Sequence, residues 1–359
     1  MEKLSFTSYI IDKDIKEELK KELESFKNIL IIGGETSLAS IDKKLKYALT
    51  NQTYTIELYG KECSHFNVER ILAKNLDKKF DIVVGIGGGK ALDTAKLVAF
   101  KLGINILTIP TIAATCAATS SLSVVYNQNG AFAEIINFSA PPLKTFIDLE
   151  TLKNAPKKYI WAGMGDTLAK FYEVDIKSRW SINSRKELNY QSTLGRTIST
   201  LCRELILKYG ESAFYSSDIG EEFKNVILAI IVNTGYTSNL VEEYLNGAIA
   251  HSVCYGLGNI HSIEKNHLHG ELVAYGILIQ LLVEDNYSEY EKLIDFYNKL
   301  KYPTKLEDFI EIKNFKDIED KIIDIVINSP DMPDFFKMGF ELDREKFKSA
   351  LYGRKVWER

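Results

Sequence analysis

The chain has 359 residues, more than one core of roughly 250–300 residues usually fills, so two domains are expected. It is 45% hydrophobic and 26% charged with a formal net charge of −4, and its Lys and Glu are spread throughout, which excludes the basic face of a nucleic-acid binder. The longest nearly apolar run, Leu272–Val283, falls short of the ~20 residues that span a bilayer, and the N-terminal stretch MEKLSFTSYIIDKDIKEELKKELE lacks an apolar core followed by a small-residue cleavage site. A protein of the cytoplasm, neither membrane-bound nor secreted, is therefore expected. The four cysteines form no C-x-x-C pair and imply neither a zinc knuckle nor a disulfide framework.

In chain order, short apolar runs alternate with helical patterns over residues 1–155. Asn28–Ile32 runs into Gly33-Gly34, Tyr54–Leu58 follows, Asp81–Ile86 ends in three glycines, and Ile104–Ile109 ends at Pro110. Helical patterns lie between them, including Asn67–Asp77 and Lys90–Leu102. This reads as a parallel sheet with helices on both faces, where ligands bind beyond the C-terminal strand ends. Ser121–Tyr126 and Phe132–Asn137 alternate around the turn NQNG (127–130) and read as a β-hairpin. From Pro156 the apolar spacing becomes three and four, so residues 156–359 are expected to form an all-α domain.

The segment GIGGGKALDTAK (85–96) follows a strand and opens a helix. It fails the dinucleotide fingerprint, because Lys90 stands where the third glycine is needed. It also fails the P-loop, because Ala91 replaces Ser or Thr and Val84 replaces the first glycine. The physics of both survives: backbone amides bare of side chains at a helix N-terminus can close on a pyrophosphate. Glycines needed only for a tight turn are the competing reading.

Four of the five histidines (His251, His261, His267 and His269) fall within one short stretch. Asp166, between Gly165 and Thr167, reads by itself as a helix N-cap. One carboxylate with two imidazoles would make a three-ligand site with open positions, the catalytic arrangement for zinc.

Taken in order, GIGGGKALDTAK, PTIAATCAATSSLSVVY (110–126), AGMGDTLAKFYE (162–173), AHSV (250–253) and HGELVAYG (269–276) resemble glycerol dehydrogenase. More broadly they resemble the metal-dependent, "iron-containing" alcohol dehydrogenase family, from about Leu30 to Gln280. The resemblance implies the architecture shared with dehydroquinate synthase: an α/β domain binding NAD or NADP, then a helical domain carrying one divalent metal ion, zinc or iron. Carried onto matching positions, Gly87, Gly88, Gly89, Lys90 and Asp93 hold the pyrophosphate loop. Thr111, Ser120, Leu122 and Tyr126 line the rest of the dinucleotide, and Asp166, His251 and His269 bind the metal. The interval from His251 to His269 is one residue longer than in glycerol dehydrogenase, so His267 stays an alternative third ligand.

Two positions depart from glycerol dehydrogenase. Cys116 stands where those enzymes carry an aspartate that contacts substrate hydroxyls, and Lys170 where they commonly carry a neutral residue. Lys170 is either a solvated lysine pairing with Asp166 or Glu173, or a pocket cation suited to an anionic substrate; with Cys116 it resembles the hydroxycarboxylate dehydrogenase branch. Near Gly34, NAD-preferring members place an aspartate; its absence and the adjacent Glu35 leave NAD and NADP both open.

The expected activity is hydride transfer between nicotinamide and a small alcohol, a glycerol-like polyol or a 2-hydroxy acid, by a homo-oligomer (dimer or higher). The alternatives are a glycerol-1-phosphate dehydrogenase, a lyase of the dehydroquinate-synthase type, which would need a basic phosphate pocket, and a non-catalytic nucleotide-binding module, which would have no use for metal ligands.

Overall fold

The computed structural model describes residues 5–128, 130–309 and 315–354. Asn129, within the turn read as NQNG, lies outside them. In chain order the first elements are β1 (Ser8–Asp12), α1 (Lys16–Leu23), β2 (Asn28–Gly33), α2 (Glu35–Ala48), β3 (Thr53–Leu58) and α3 (His65–Lys74). There follow β4 (Ile82–Gly87), α4 (Gly89–Leu102), β5 (Ile106–Pro110), β6 (Leu122–Tyr126), β7 (Phe132–Asn137) and β8 (Lys144–Asp148). The helices continue as α5 (Leu149–Asn154), α6 (Lys158–Asn183), α7 (Tyr190–Tyr215), α8 (Glu221–Ile227) and α9 (Thr234–Leu240), with a π-helical turn at Leu228–Asn233. The rest are α10 (Ile249–Gly258), α11 (His261–Asn266), α12 (His269–Val283), α13 (Tyr287–Leu300), α14 (Phe315–Ile327), α15 (Pro333–Lys337) and α16 (Arg344–Leu351). None is long and apolar enough to cross a membrane.

The chain divides into two compact units. The first, residues 1–160 with 217–239, holds the expected α/β sheet. Its six strands run parallel in the order β1-β8-β5-β4-β2-β3. Central strands are near-continuous apolar runs because both faces are covered. Alternate residues divide between the faces: Ile29, Ile31, Val84 and Ile86 pack with Leu19 of α1 and Ile41 and Leu45 of α2. Leu30, Ile32 and Val83 pack with Val68 and Ile71 of α3 and Ala95 and Val98 of α4. Strands β6 and β7 form the expected antiparallel hairpin, with a register shift at Val125/Tyr126.

From β2 the chain steps to one side, to β3, and then returns to place β4 on the other side of β2. The topological switch point of the sheet therefore lies between the ends of β2 and β4. These are the strands ending in Gly33-Gly34 and Gly87-Gly88-Gly89.

A single change of period near residue 155 does not express how residues 217–239 fold with this unit. Asn239 Oδ1 accepts the Ser121 N–H at 2.8 Å, and Asn239 Nδ2 donates to the Thr119 carbonyl at 2.9 Å. Tyr236 donates its hydroxyl to the Thr7 carbonyl at 2.5 Å.

The second unit, residues 161–216 with 240–359, is helical throughout its described residues. Its spine is α12, whose residues Leu272–Val283 are all buried, as expected of a helix apolar on every side. Small residues bring its neighbours unusually close. A Cβ on Gly270 would lie 1.9 Å from the Ala162 carbonyl oxygen, one on Gly165 would lie 2.3 Å from the Gly270 carbonyl oxygen, and one on Gly276 would lie 2.4 Å from the Ala250 carbonyl oxygen. Helices α6 and α10 thus both touch α12 backbone to backbone.

Gly270→Ala should force α6 away from α12 and destabilise the protein by about 1–3 kcal/mol, read as a lower thermal midpoint. Gly258→Ala, where an added Cβ meets nothing within 4 Å, should be neutral or stabilising by up to about 1 kcal/mol. Equal midpoints for the two variants would contradict the close approach.

Candidate active site

In the first unit, Ser37 ties the two glycine-bearing strand ends together. Its hydroxyl accepts the Gly34 N–H at 2.9 Å and lies 3.0 Å from the Ile86 carbonyl. Gly87 has φ +150°, a conformation that favours glycine, and a Cβ there would press on Ala91 at 2.8 Å. Gly88 is the N-cap of α4 and, lacking a side chain, leaves the first amides of a fourteen-residue helix without a side-chain cap. Part of the glycine content thus serves the turn, while the amides at the helix start remain available to an anion.

Lys90 Nζ lies 2.6 Å from Glu62 Oε2 and 4.8 Å from the centroid of the Tyr126 ring, so Lys90 and Tyr126 meet. Thr111 donates its N–H to the Gly87 carbonyl at 3.1 Å. Asp93 is buried, with its carboxylate engaged by Lys96 Nζ at 2.9 Å and the Val124 N–H at 3.2 Å. Lys96, which sequence reasoning did not single out, also donates to the carbonyls of Ser120 and Leu122. One buried ion pair thus gathers Asp93, Ser120 and Leu122. Cys116 belongs to this unit too; its carbonyl accepts the N–H groups of Thr119 and Ser120.

In the second unit, Asp166 stands well inside α6, so the N-cap reading is corrected. The flanking glycines mimic a helix start, yet Gly165 sits within the helix because α12 leaves no room there for a side chain. His251 lies in the first turn of α10 and His269 opens α12. Since α12 touches α6 at Gly165/Gly270 and α10 at Gly276/Ala250, the neighbouring Asp166, His269 and His251 converge. Asp166 Oδ1 is 3.5 Å from Nε2 of both His251 and His269. Among the described residues these three form the one His, Cys, Asp and Glu cluster with ligand spacing, all donor atoms lying within 4.8 Å of one another.

His267 is outside it. Its Nδ1 is 2.8 Å from Glu271 Oε1, its ring meets Phe309 edge-on, and Glu271 also accepts the Leu268 N–H at the head of α12. His261 is at the surface. Lys170 is buried rather than solvated, and donates to Asn246 Oδ1 at 3.1 Å.

The residue missed by sequence reasoning is Glu173. It is fully buried, and its Oε2 lies 2.6 Å from His251 Nδ1. Its signal was its spacing from Asp166: seven residues, two helical turns on one face. Burial opposes a charged ring at His251, but Glu173 and then Asp166 outweigh it and raise the pKa to about 10. Burial likewise opposes charge on Asp166, yet the two imidazoles hold its carboxyl well below the usual carboxylate range. A cation bound among these atoms would take the place of the protons on the two Nε2 atoms.

A family model described as "Iron-containing alcohol dehydrogenase" matches residues 7–144. Hydroxycarboxylate dehydrogenase A of Escherichia coli is 33% identical over 304 residues, covering 84% of this chain and 82% of that protein. Glycerol dehydrogenase of Thermotoga maritima is 36% identical over 253 residues, covering 70% of this chain and 68% of that protein. The structure of glycerol dehydrogenase from Schizosaccharomyces pombe superposes with a TM-score of 0.86 at 24% identity, covering 98% of this chain and 89% of that one. The chain belongs to the iron-containing alcohol dehydrogenase family, and is an oxidoreductase acting on the CH–OH groups of alcohols.

Proposed function

We propose that this protein is a metal-dependent, NAD(P)-linked dehydrogenase that moves hydride between nicotinamide and a small alcohol, polyol or 2-hydroxy acid. The observation that carries the reading is the convergence of Asp166, His251 and His269. One carboxylate and two imidazoles are the donor set that zinc takes at sites with open positions. Ligand atoms about 2.1 Å from a common tetrahedral ion stand about 3.4 Å apart, and Asp166 Oδ1 is 3.5 Å from each nitrogen. Zinc is favoured by this chemistry, with iron the alternative.

When bound, the cation supplies Lewis acidity toward a substrate oxygen and the nicotinamide accepts or returns hydride. The chain's own part is to hold and orient. Asp166 brings the negative charge of the donor set, and α6, α10 and α12 fix the directions of the three side chains. In the first unit, the amides at the start of α4 would receive the pyrophosphate, with Gly34 toward the adenosine end. Lys170, buried one turn from Asp166, and the uncharged Cys116 support an anionic substrate, hence a 2-oxo acid over a polyol.

The protein stripped by a chelator should not oxidise NADH or NADPH with 2-oxo acids, dihydroxyacetone or simple aldehydes. Added Zn²⁺ should restore the reaction in the wild type and not in Asp166→Asn, with 2-oxo acids preferred. Full activity after stripping would remove the cation from the reaction, and a preference for dihydroxyacetone would return the substrate to the polyols.

Gly89→Asp tests the dinucleotide loop. An aspartate in the first turn of α4 suits the helix dipole, and its Cβ would meet the Thr115 hydroxyl at 3.2 Å, so stability should change little. The same charge repels a pyrophosphate, by about 4 kcal/mol for unit charges ~4 Å apart at an effective dielectric of ~20, so calorimetry should show NADH affinity lower by up to roughly a thousandfold. Unchanged affinity would move the pyrophosphate elsewhere.

A further inference from the structure

Glu173 is surrounded by donors. Its Oε1 accepts the backbone N–H of Ala248 at 2.7 Å and of His251 at 2.9 Å, and its Oε2 faces His251 Nδ1 at 2.6 Å. Three N–H groups at the start of α10 thus converge on one fully buried side chain. A carboxylate offers acceptors only and satisfies all three. An amide in either orientation turns an NH₂ toward at least one of them. With the Nδ1 proton directed at Glu173, Nε2 is the nitrogen that faces Asp166, and a cation that displaces its proton would meet the Nε2 lone pair there.

The other imidazole is held differently. His269 Nδ1 has the Cys254 sulfur 3.4 Å away, a weak acceptor, and its side chain is half exposed. The two imidazoles therefore have unequal supports: a buried carboxylate anchored by two backbone amides, and a thiol.

We propose that Glu173 is the positioning residue of this site, fixing His251 in the tautomer and direction that offer Nε2 to a divalent cation, and that this makes His251 the more firmly held of the two imidazole ligands. The proposal rests on the metal reading given above. A carboxylate behind a ligating imidazole raises its basicity and locks its ring, and its loss typically weakens metal binding by ~10–100-fold.

The test uses the full-length protein, stripped and titrated with Zn²⁺ against a chromophoric chelator and with Co²⁺ followed by its visible bands. Wild type should take up one equivalent. Glu173→Gln should bind ~10–100-fold more weakly, with altered Co²⁺ bands and faster release to the chelator. Glu173→Asp, which keeps an acceptor-only group, should recover part of the loss, and Cys254→Ala should lose less than Glu173→Gln. Wild type that binds no cation would overturn the metal reading itself. Wild type that binds one, with Glu173→Gln unchanged in affinity and bands, would overturn the role of Glu173 alone. A larger loss in Cys254→Ala than in Glu173→Gln would overturn the ranking of the two imidazoles. Should Glu173→Gln fail to fold, the ¹⁵N-histidine spectrum of Zn²⁺-loaded wild type decides: His251 should show an Nδ1-bound proton protected from exchange with water, and its absence would overturn the proposal.

Discussion

The second unit depends on one constraint, the approach of α6 and α10 to α12 at distances that exclude a Cβ. Gly165 and Gly270 meet across α6 and α12, and Gly276 meets Ala250 across α12 and α10. The residues beside these contacts are Asp166, His269 and His251. The constraint that sets helix spacing is therefore the same one that sets donor spacing. A site built on three packed helices holds its side chains more exactly than one built on loops.

Charge around those donors is arranged rather than avoided. Buried carboxylates are costly unless paired. Glu173 is buried, and His251 with the amides of α10 holds it ionised against that burial. Lys170 and Lys177 follow on the same helix, one turn either side of Glu173; both are buried, and burial pulls the pKa of Lys177 down while Asp331 and Glu173 oppose it. Two carboxylates and two ammonium groups thus lie along one stretch of α6. A divalent cation added at Asp166 would leave these groups net positive, which would favour the anionic substrate proposed above.

Much of the first unit was legible because its central strands bury both faces and so read as continuous apolar runs, as in NILII and DIVVGI. Strand β1 was not, since SYIID is short and half exposed at the sheet edge and carries no such run. Nor was the allegiance of residues 217–239, which rests on contacts such as Asn239 with Thr119 and Ser121, more than a hundred residues apart and without periodicity. The three residues that converge at the site were legible as residue types, through clustered histidines and motif resemblance. The helix that carries Asp166 was not, because Gly165 looks like a breaker until its partner Gly270 is known. Glu173 stood within a recognised motif, but its work depends on where the first turn of α10 comes to lie. Asp93 teaches the converse: a carboxylate in the glycine-rich motif proposed to receive the pyrophosphate is turned inward, paired with Lys96.

The central claim is that one divalent ion sits among Asp166 Oδ1, His251 Nε2 and His269 Nε2. The most direct measurement is anomalous diffraction at the zinc absorption edge from crystals of the Zn²⁺-loaded protein. A single strong peak within coordination distance of all three atoms is the expected result. A peak centred elsewhere, at His267 for example, or full zinc content with no peak at these atoms, would contradict it.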